Sequence, residues 1–427
     1  MKIKLSPNQL KLGMYVSELD RPWVESPFLF QGFRLTTIED IENIKEFSEY
    51  VYVDTEKSAS NVISHLKGKN RNLTTDLHPT KKSKKSNVVP EKHSGLSDSF
   101  SKDDRKVLNE NIYKAHAIRD ETRTYVDDML TASRMGKIIN TQKAKLLVAK
   151  LANNIIENAD ASMWLTNLKK RDEYTAIHSV NVCVLSLTFG RALGIKKGPL
   201  NELGLGALLH DMGKMHVPLE ILNKPGKLDD KEFEIMKSHP VSGYQMLKKS
   251  KGLSVDTLDI VKSHHERTSG SGYPDGLKEK EIRYFTQIVA ITDVYDAVTS
   301  DRVYHDGMTP HEALKNMYEW APGNYNIELM QSFIRTIGIY PVGSVVELKT
   351  GHIGLVIKIN KDKKLKPILI MIMNRHKEYY DKRKVVNLGS SIWDEKEHKP
   401  EIHRIIDARE YNIDVKKIIA EESTVKQ

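Results

Sequence analysis

Apolar spacing divides the chain into three regimes. In residues 1–60, Met14-Tyr15-Val16 and Val51-Tyr52-Val53 predict short strands, and Ile38, Ile41 and Ile44 recur between them at helical spacing. Gly13, Pro22, Pro27 and Gly32 punctuate the connections. The expectation is a small α+β module. From 103 to about 335 the period becomes helical. Ala115, Ile118, Val126 and Met129 trace one face, and Leu146, Leu147, Leu151 and Ile155 trace another. Thr309-Pro310-His311-Glu312 is a capping box with proline at the first helical position. Ile327, Met330, Phe333, Ile334 and Ile337 then form an amphipathic helix stopped by Gly338. After Pro341 the period is two. Residues 342–348 and 353–359 flank Lys349-Thr350-Gly351 as a hairpin, and 368–373 supplies a third strand. The tail beyond about 400 is charged, and its pattern does not place an element. The fold class is mainly α: a helical domain over 103–340, with its core at 160–340, between an α+β module and a β-rich segment over 341–427.

Residues 61–102 differ in composition. Lys81-Lys82-Ser83-Lys84-Lys85-Ser86, Pro90 and Gly95 cannot bury enough apolar surface to offset ordering, which predicts a flexible basic linker. No aromatic residue interleaves with those lysines, so stacking on bases is not provided for and no DNA or RNA partner is expected. The net charge of +9 favours phosphate-bearing partners. One cysteine, Cys183, excludes an internal disulfide and suits a reducing compartment. The longest apolar run, 367–373, falls far short of the ~20 residues of a membrane helix, and the first residues lack a signal-peptide stretch. The expectation is a cytoplasmic protein with no membrane contact.

Ligand-type side chains gather in five short elements of the helical block. These are Arg171-Asp172-Glu173-Tyr174-Thr175-Ala176-Ile177-His178, His210-Asp211-Met212-Gly213-Lys214, Ser238-His239-Pro240, His264-His265-Glu266-Arg267 running into Gly270-Ser271-Gly272-Tyr273-Pro274, and Asp293-Val294-Tyr295-Asp296. Each has a purely structural explanation. His178 shares a face with Val182, Leu185 and Phe189 and could be a hydrogen-bonded core histidine. His210-Asp211 closes an apolar helix, where a carboxylate is costly unless paired or holding a cation. His239 precedes proline, which disfavours helical geometry at that position. Together, five histidines and two aspartates at inward or helix-terminal positions point to a metal. Imidazole and carboxylate without nearby thiolate suit Fe, Mn, Zn or Ni. Seven ligands exceed one tetrahedral ion and fit two ions sharing a carboxylate, an arrangement that clamps in-line phosphoryl displacement.

The helical block resembles the HD-GYP family of cyclic dinucleotide phosphodiesterases, a branch of the HD metal-dependent phosphohydrolases. His210-Asp211 matches the HD signature and Gly272-Tyr273-Pro274 the GYP signature, with all five motifs in order across about 160–340. The N-terminal segment resembles a small module often found before such domains in proteobacteria. The resemblance implies metal ligation by His178, His210, Asp211, His239, His264, His265 and Asp293. By family pattern Asp211 bridges two divalent ions, Fe or Mn, with His210 and Asp293 on one and His239, His264 and His265 on the other. Lys214 would contact the scissile phosphate, Arg302, Tyr273 and His305 would help bind substrate, and Asp296 would orient neighbouring groups.

The resemblance further implies a 3′,5′-cyclic dinucleotide substrate, first cyclic di-GMP opened to a linear dinucleotide. 3′,3′-Cyclic GMP-AMP is the alternative within that chemistry. A non-hydrolytic nucleotide receptor and a general mononucleotidase are the competing classes; the full ligand set argues against the first and the GYP loop against the second. Implied protein partners are a second copy of the chain and a GGDEF-type signalling protein. Four positions depart from the family. Tyr174 stands where some members carry the glutamate of a third metal site, His305 replaces a frequent lysine, and Thr268-Ser269 replaces a frequent Trp-Asp pair.

Overall fold

A computed structural model describes residues 2–20, 32–35, 38–59, 62, 102–137, 139–167, 174–301, 307–360, 363–393 and 400–424. The chain divides into two units, Met1–Leu96 and Ser97–Gln427. In the first, strands β1 (Lys2–Leu5), β2 (Tyr15–Leu19), β3 (Phe33–Arg34) and β4 (Val51–Asp54) form an antiparallel sheet of order β1-β4-β2-β3. Helix α1 (Ile38–Phe47) connects β3 to β4. Leu5, Val16, Leu19, Phe33, Ile44, Val51 and Val53 are buried, so alternation in the strands and the inward Ile44 build one small core. Apart from Val62 and Lys102, the lysine-rich stretch 61–102 lies outside the described residues.

The second unit opens with α2 (Lys102–Arg134), α3 (Thr141–Glu157) and α4 (Ala159–Thr166). Next come α5 (Tyr174–Ala192), α6 (Lys197–Leu209), a 3₁₀ turn (Met212–His216), α7 (Leu219–Leu222), α8 (Asp230–Met236), α9 (His239–Leu247) and α10 (Val255–Ser263). Helices α11 (Tyr284–Val298), α12 (Pro310–Trp320) and α13 (Ile327–Ile337) complete the block. Residues 176–190 of α5 are all buried, which makes it the central helix, enclosed on every side. Helices α2, α3, α4, α6 and α11 pack around it. Thr309 caps α12 through Glu312, and Gly338 ends α13 at φ +86°, as the capping signals predict. The predicted face of α3 needs one correction. Leu146 is exposed, and the buried stripe is Ala144, Leu147, Val148, Leu151 and Ile155. At about 100° per residue Leu146 turns away from the i, i+4 line through Leu147.

Strands β5 (Val345–Leu348), β6 (Ile353–Lys358), β7 (Ile368–Met373), β8 (Val385–Asn387) and β9 (Ile402–Ile406) form an antiparallel sheet of order β8-β7-β6-β5-β9. The predicted hairpin is β5–β6. The charged tail beyond 400, whose pattern placed no element, supplies β9 and helix α14 (Val415–Thr424). Strand β9 is an edge whose charged positions, such as Arg404 paired with Glu347, hide its Ile402, Ile405 and Ile406 in the sequence. The sheet shares one core with the helices. Ile353, Leu355, Ile370 and Ile372 pack with Leu108 and Ile112 of α2, Trp164 and Leu165 of α4, and Ile418 and Ile419 of α14. No helix among the described residues is long and apolar enough to cross a membrane.

Candidate metal centre

Five chain segments deliver the seven predicted ligands to one buried spot. His178 projects from the middle of α5, and Asp293 from α11. His210 is the residue after α6, so the following turn lets Asp211 face the same point, which mid-helix geometry forbids. His239 is the first residue of α9, with Pro240 behind it. His264 and His265 follow α10. The approach of the 3₁₀ turn to α9 requires Gly213. A Cβ there would lie 1.8 Å from the His239 carbonyl oxygen and 2.5 Å from the Gly243 nitrogen. Backbone contact at Gly213 therefore carries His239 to Asp211.

Hydrogen bonds on the outer ring edges aim the imidazoles inward. Nδ1 of His210 donates to Ala207 O at 2.7 Å, Nδ1 of His239 to Met236 O at 2.7 Å, and Nδ1 of His264 to Ile260 and Val261 O at 3.1 Å each. A carbonyl only accepts, so these protons sit on Nδ1 and each Nε2 presents a lone pair. His178 is held differently: Asp296 Oδ2 takes its Nδ1 at 2.8 Å, while Asn181 Nδ2 donates to Asp296 Oδ1 at 3.1 Å.

The inner atoms fall into two groups about Asp211. Its Oδ2 lies 3.5 Å from His178 Nε2 and 3.3 Å from His210 Nε2. Its Oδ1 lies 3.4 Å from His239 Nε2 and 3.9 Å from His264 Nε2. Asp293 Oδ1 joins the first group, 3.0 Å from His178 Nε2 and 3.8 Å from His210 Nε2. Its Oδ2 lies 3.9 Å from His265 Nδ1. His178-His210-Asp211, His210-His264-Asp293 and His239-His264-His265 each bring ligand atoms within 4.8 Å of one another.

The donor set fits a divalent cation. Asp211 Oδ1 is buried and accepts no hydrogen bond among the described residues. The Nε2 atoms of His239 and His264 are 3.3 Å apart, and both face that oxygen. Three acceptors thus converge with no proton to share, an arrangement that is costly unless a cation sits among them. Electrostatics agree. Burial, with His210 and His239 packed alongside, pushes His264 down to about 3, which leaves it neutral and ready to ligate. Burial works against the Asp211 carboxylate, but His210 and Lys214 hold it well below its ordinary range. Burial also depresses His178, yet Asp293 and Asp296 raise it to about 9. That end of the site carries excess negative charge.

Lys214, one 3₁₀ turn beyond Asp211, donates from Nζ to Asp211 Oδ2. Tyr273 stacks on His265 with ring centroids 4.7 Å apart, and its bond to Pro274 is cis. Sequence reasoning missed Glu266. It is buried, and its two oxygens accept from Asp275 N at 2.8 Å and Leu277 N at 2.9 Å, which clasps the loop that carries Tyr273. Gly272 makes that clasp sterically accessible, because a Cβ there would lie 2.5 Å from the Glu266 Cα. The signal was present: an acid directly after paired histidines at a helix end. Asn181, one turn beyond His178, was also missed. Arg302 and His305 lie outside the described residues, as does the side chain of Tyr174.

This donor set suits a divalent-metal centre. Residues 150–327 match the family described as HD domain, 2–144 a domain of unknown function (DUF3391), and 345–412 a KOW domain associated with HD domain. The DUF3391 match runs through the lysine-rich stretch and α2. Cyclic di-GMP phosphodiesterase PA4108 of Pseudomonas aeruginosa is 34% identical over 389 residues, which span 90% of this chain and 89% of that one. The chain belongs to the HD-GYP family of cyclic dinucleotide phosphodiesterases. A cyclic di-GMP phosphodiesterase of Thermotoga maritima is 37% identical over 166 residues, 39% of this chain and 45% of the relative. 3'3'-cGAMP-specific phosphodiesterase 1 of Vibrio cholerae is 34% identical over 181 residues, 42% of each chain.

Proposed function

We propose that the chain hydrolyses cyclic di-GMP to linear pGpG at two divalent ions, iron or manganese. The observation that carries this reading is the Asp211 carboxylate, one oxygen turned to His178 and His210 and the other to His239 and His264. His178, His210 and Asp293 would hold one ion, and His239, His264 and His265 the other. When bound, such a pair supplies Lewis-acid polarisation of the scissile phosphate and a nucleophilic water at neutral pH.

The chain's own groups do the rest. Nζ of Lys214, held at Asp211, turns to a nonbridging oxygen of the scissile phosphate and stabilises charge that grows in the transition state. Tyr273, fixed by the Glu266 clasp, forms the wall beside His265 against which substrate rests. Asp296 holds the His178 proton on Nδ1, so that Nε2 stays a ligand. Arg302 and His305 complete substrate binding. Water attacks phosphorus and the 3′ oxygen leaves, which opens the ring.

Cyclic di-GMP is preferred over 3′,3′-cyclic GMP-AMP because the relative matched along nearly the whole chain carries the former name. Turnover of both compounds side by side, with products resolved by chromatography, tests this. Faster kcat/KM on cyclic GMP-AMP would reverse the preference. Binding without any linear product would favour a receptor.

A further inference from the structure

Lys237 sits just outside the metal centre with its ammonium 5.3 Å above the Phe233 ring centroid and 6.0 Å from that of Tyr273. Tyr273 in turn stacks on His265, so an unbroken line of contacts runs from the ligand set through Tyr273 to Lys237. The lysine side chain is 27% exposed, and Glu234, its ion-pair partner, is 69% exposed. Two aromatic rings therefore flank the ammonium, while the anion now holding it is an exposed surface carboxylate that gains little from the pair. Phe233 leaves 48% of its own surface open at the same rim.

A cyclic dinucleotide carries two phosphates, and in the proposed reaction Lys214 meets the scissile one. We propose that Lys237 binds the second, non-reacting phosphate, exchanging Glu234 for it, and so selects two-phosphate rings over simple diesters. Lysine suits this task as a point charge on phosphate. The inference rests on the cyclic dinucleotide reading above.

The test compares cyclic di-GMP with bis(p-nitrophenyl) phosphate, a diester with one phosphate, on metal-loaded full-length protein. Lys237→Met should raise KM for cyclic di-GMP about tenfold with kcat little altered, and should lower the selectivity ratio between the two substrates by the same factor. Lys237→Arg should recover most of that ratio. Glu234→Gln, which frees the ammonium, should lower KM for cyclic di-GMP about twofold. An unchanged ratio in Lys237→Met, or equal losses on both substrates with metal released, overturns the inference while leaving the substrate reading intact. Wild-type protein that cleaves the simple diester but neither cyclic dinucleotide overturns both.

Discussion

The Asp296 carboxylate holds the Nδ1 edge of His178 at 2.8 Å, and it is itself held by Asn181 at 3.1 Å. A ligand on the central helix is thus oriented from α11, three residues beyond Asp293. Asp296→Asn keeps the shape and removes the charge that fixes the imidazole proton. Metal affinity or turnover should fall ~10–100-fold. Metal titration of the purified variant, read beside kcat, checks this; wild-type affinity and rate together would contradict it.

Asp211 is the group both ligand sets share. Asp211→Ala should abolish turnover and lower bound metal by at least one ion per chain, because neither group keeps its common oxygen. Elemental analysis of protein purified without oxygen measures the stoichiometry. Full activity would refute the bridge.

Chelation should act on folding as well as on activity. Two buried carboxylates, Asp211 and Asp293, face the inner edge of His178 while Asp296 stands behind it, and a bound cation stabilises only the folded chain. Treatment with EDTA should lower the thermal midpoint and stop turnover, and added Mn(II) or Fe(II) should restore both. A midpoint indifferent to EDTA would speak against ligation.

Gly213→Ala tests the backbone approach that seats His239. The new methyl would collide with the His239 carbonyl oxygen. Overpacking of this kind costs ~1–3 kcal/mol, and here it also pushes one ligand away. The variant should melt earlier and lose metal. Retention of both would mean that α9 yields without disturbing the site.

Glu266→Ala releases the two amides that tie the Tyr273 loop. Lost charge-assisted bonds are worth roughly 1.5–3 kcal/mol each. KM for the cyclic dinucleotide should rise, while metal content stays near normal because Glu266 is not among the ligands. Loss of metal in this variant would assign Glu266 a different role.

Helices with strong periodicity or caps were legible in the sequence, as were both hairpin strands β5 and β6. Strand β9 was not, because an edge strand tolerates charge on its open side. The seven candidate ligands stood out as a group because most sit where a polar group is expensive, at an apolar helix end or on an inward face; His239, which follows a helix with no buried residue, carries no such signal alone. Glu266 was passed over because it looks like one more charged residue in a charged loop. Only its burial and its two amide partners show the clasp.

The amino-acid order alone determined the residue types, their helix-terminal positions and the nature of the chemistry they can support, since those follow from local periodicity and from the cost of burying charge. Only the packed structure decided which oxygen of Asp211 faces which histidines, that Asp296 and Asn181 stand behind His178, and that Lys237 lies over Tyr273. Most of these relations, such as Asp296 with His178 and Lys237 with Tyr273, join residues that are far apart along the chain. Helix packing distances set them, and no local pattern encodes those.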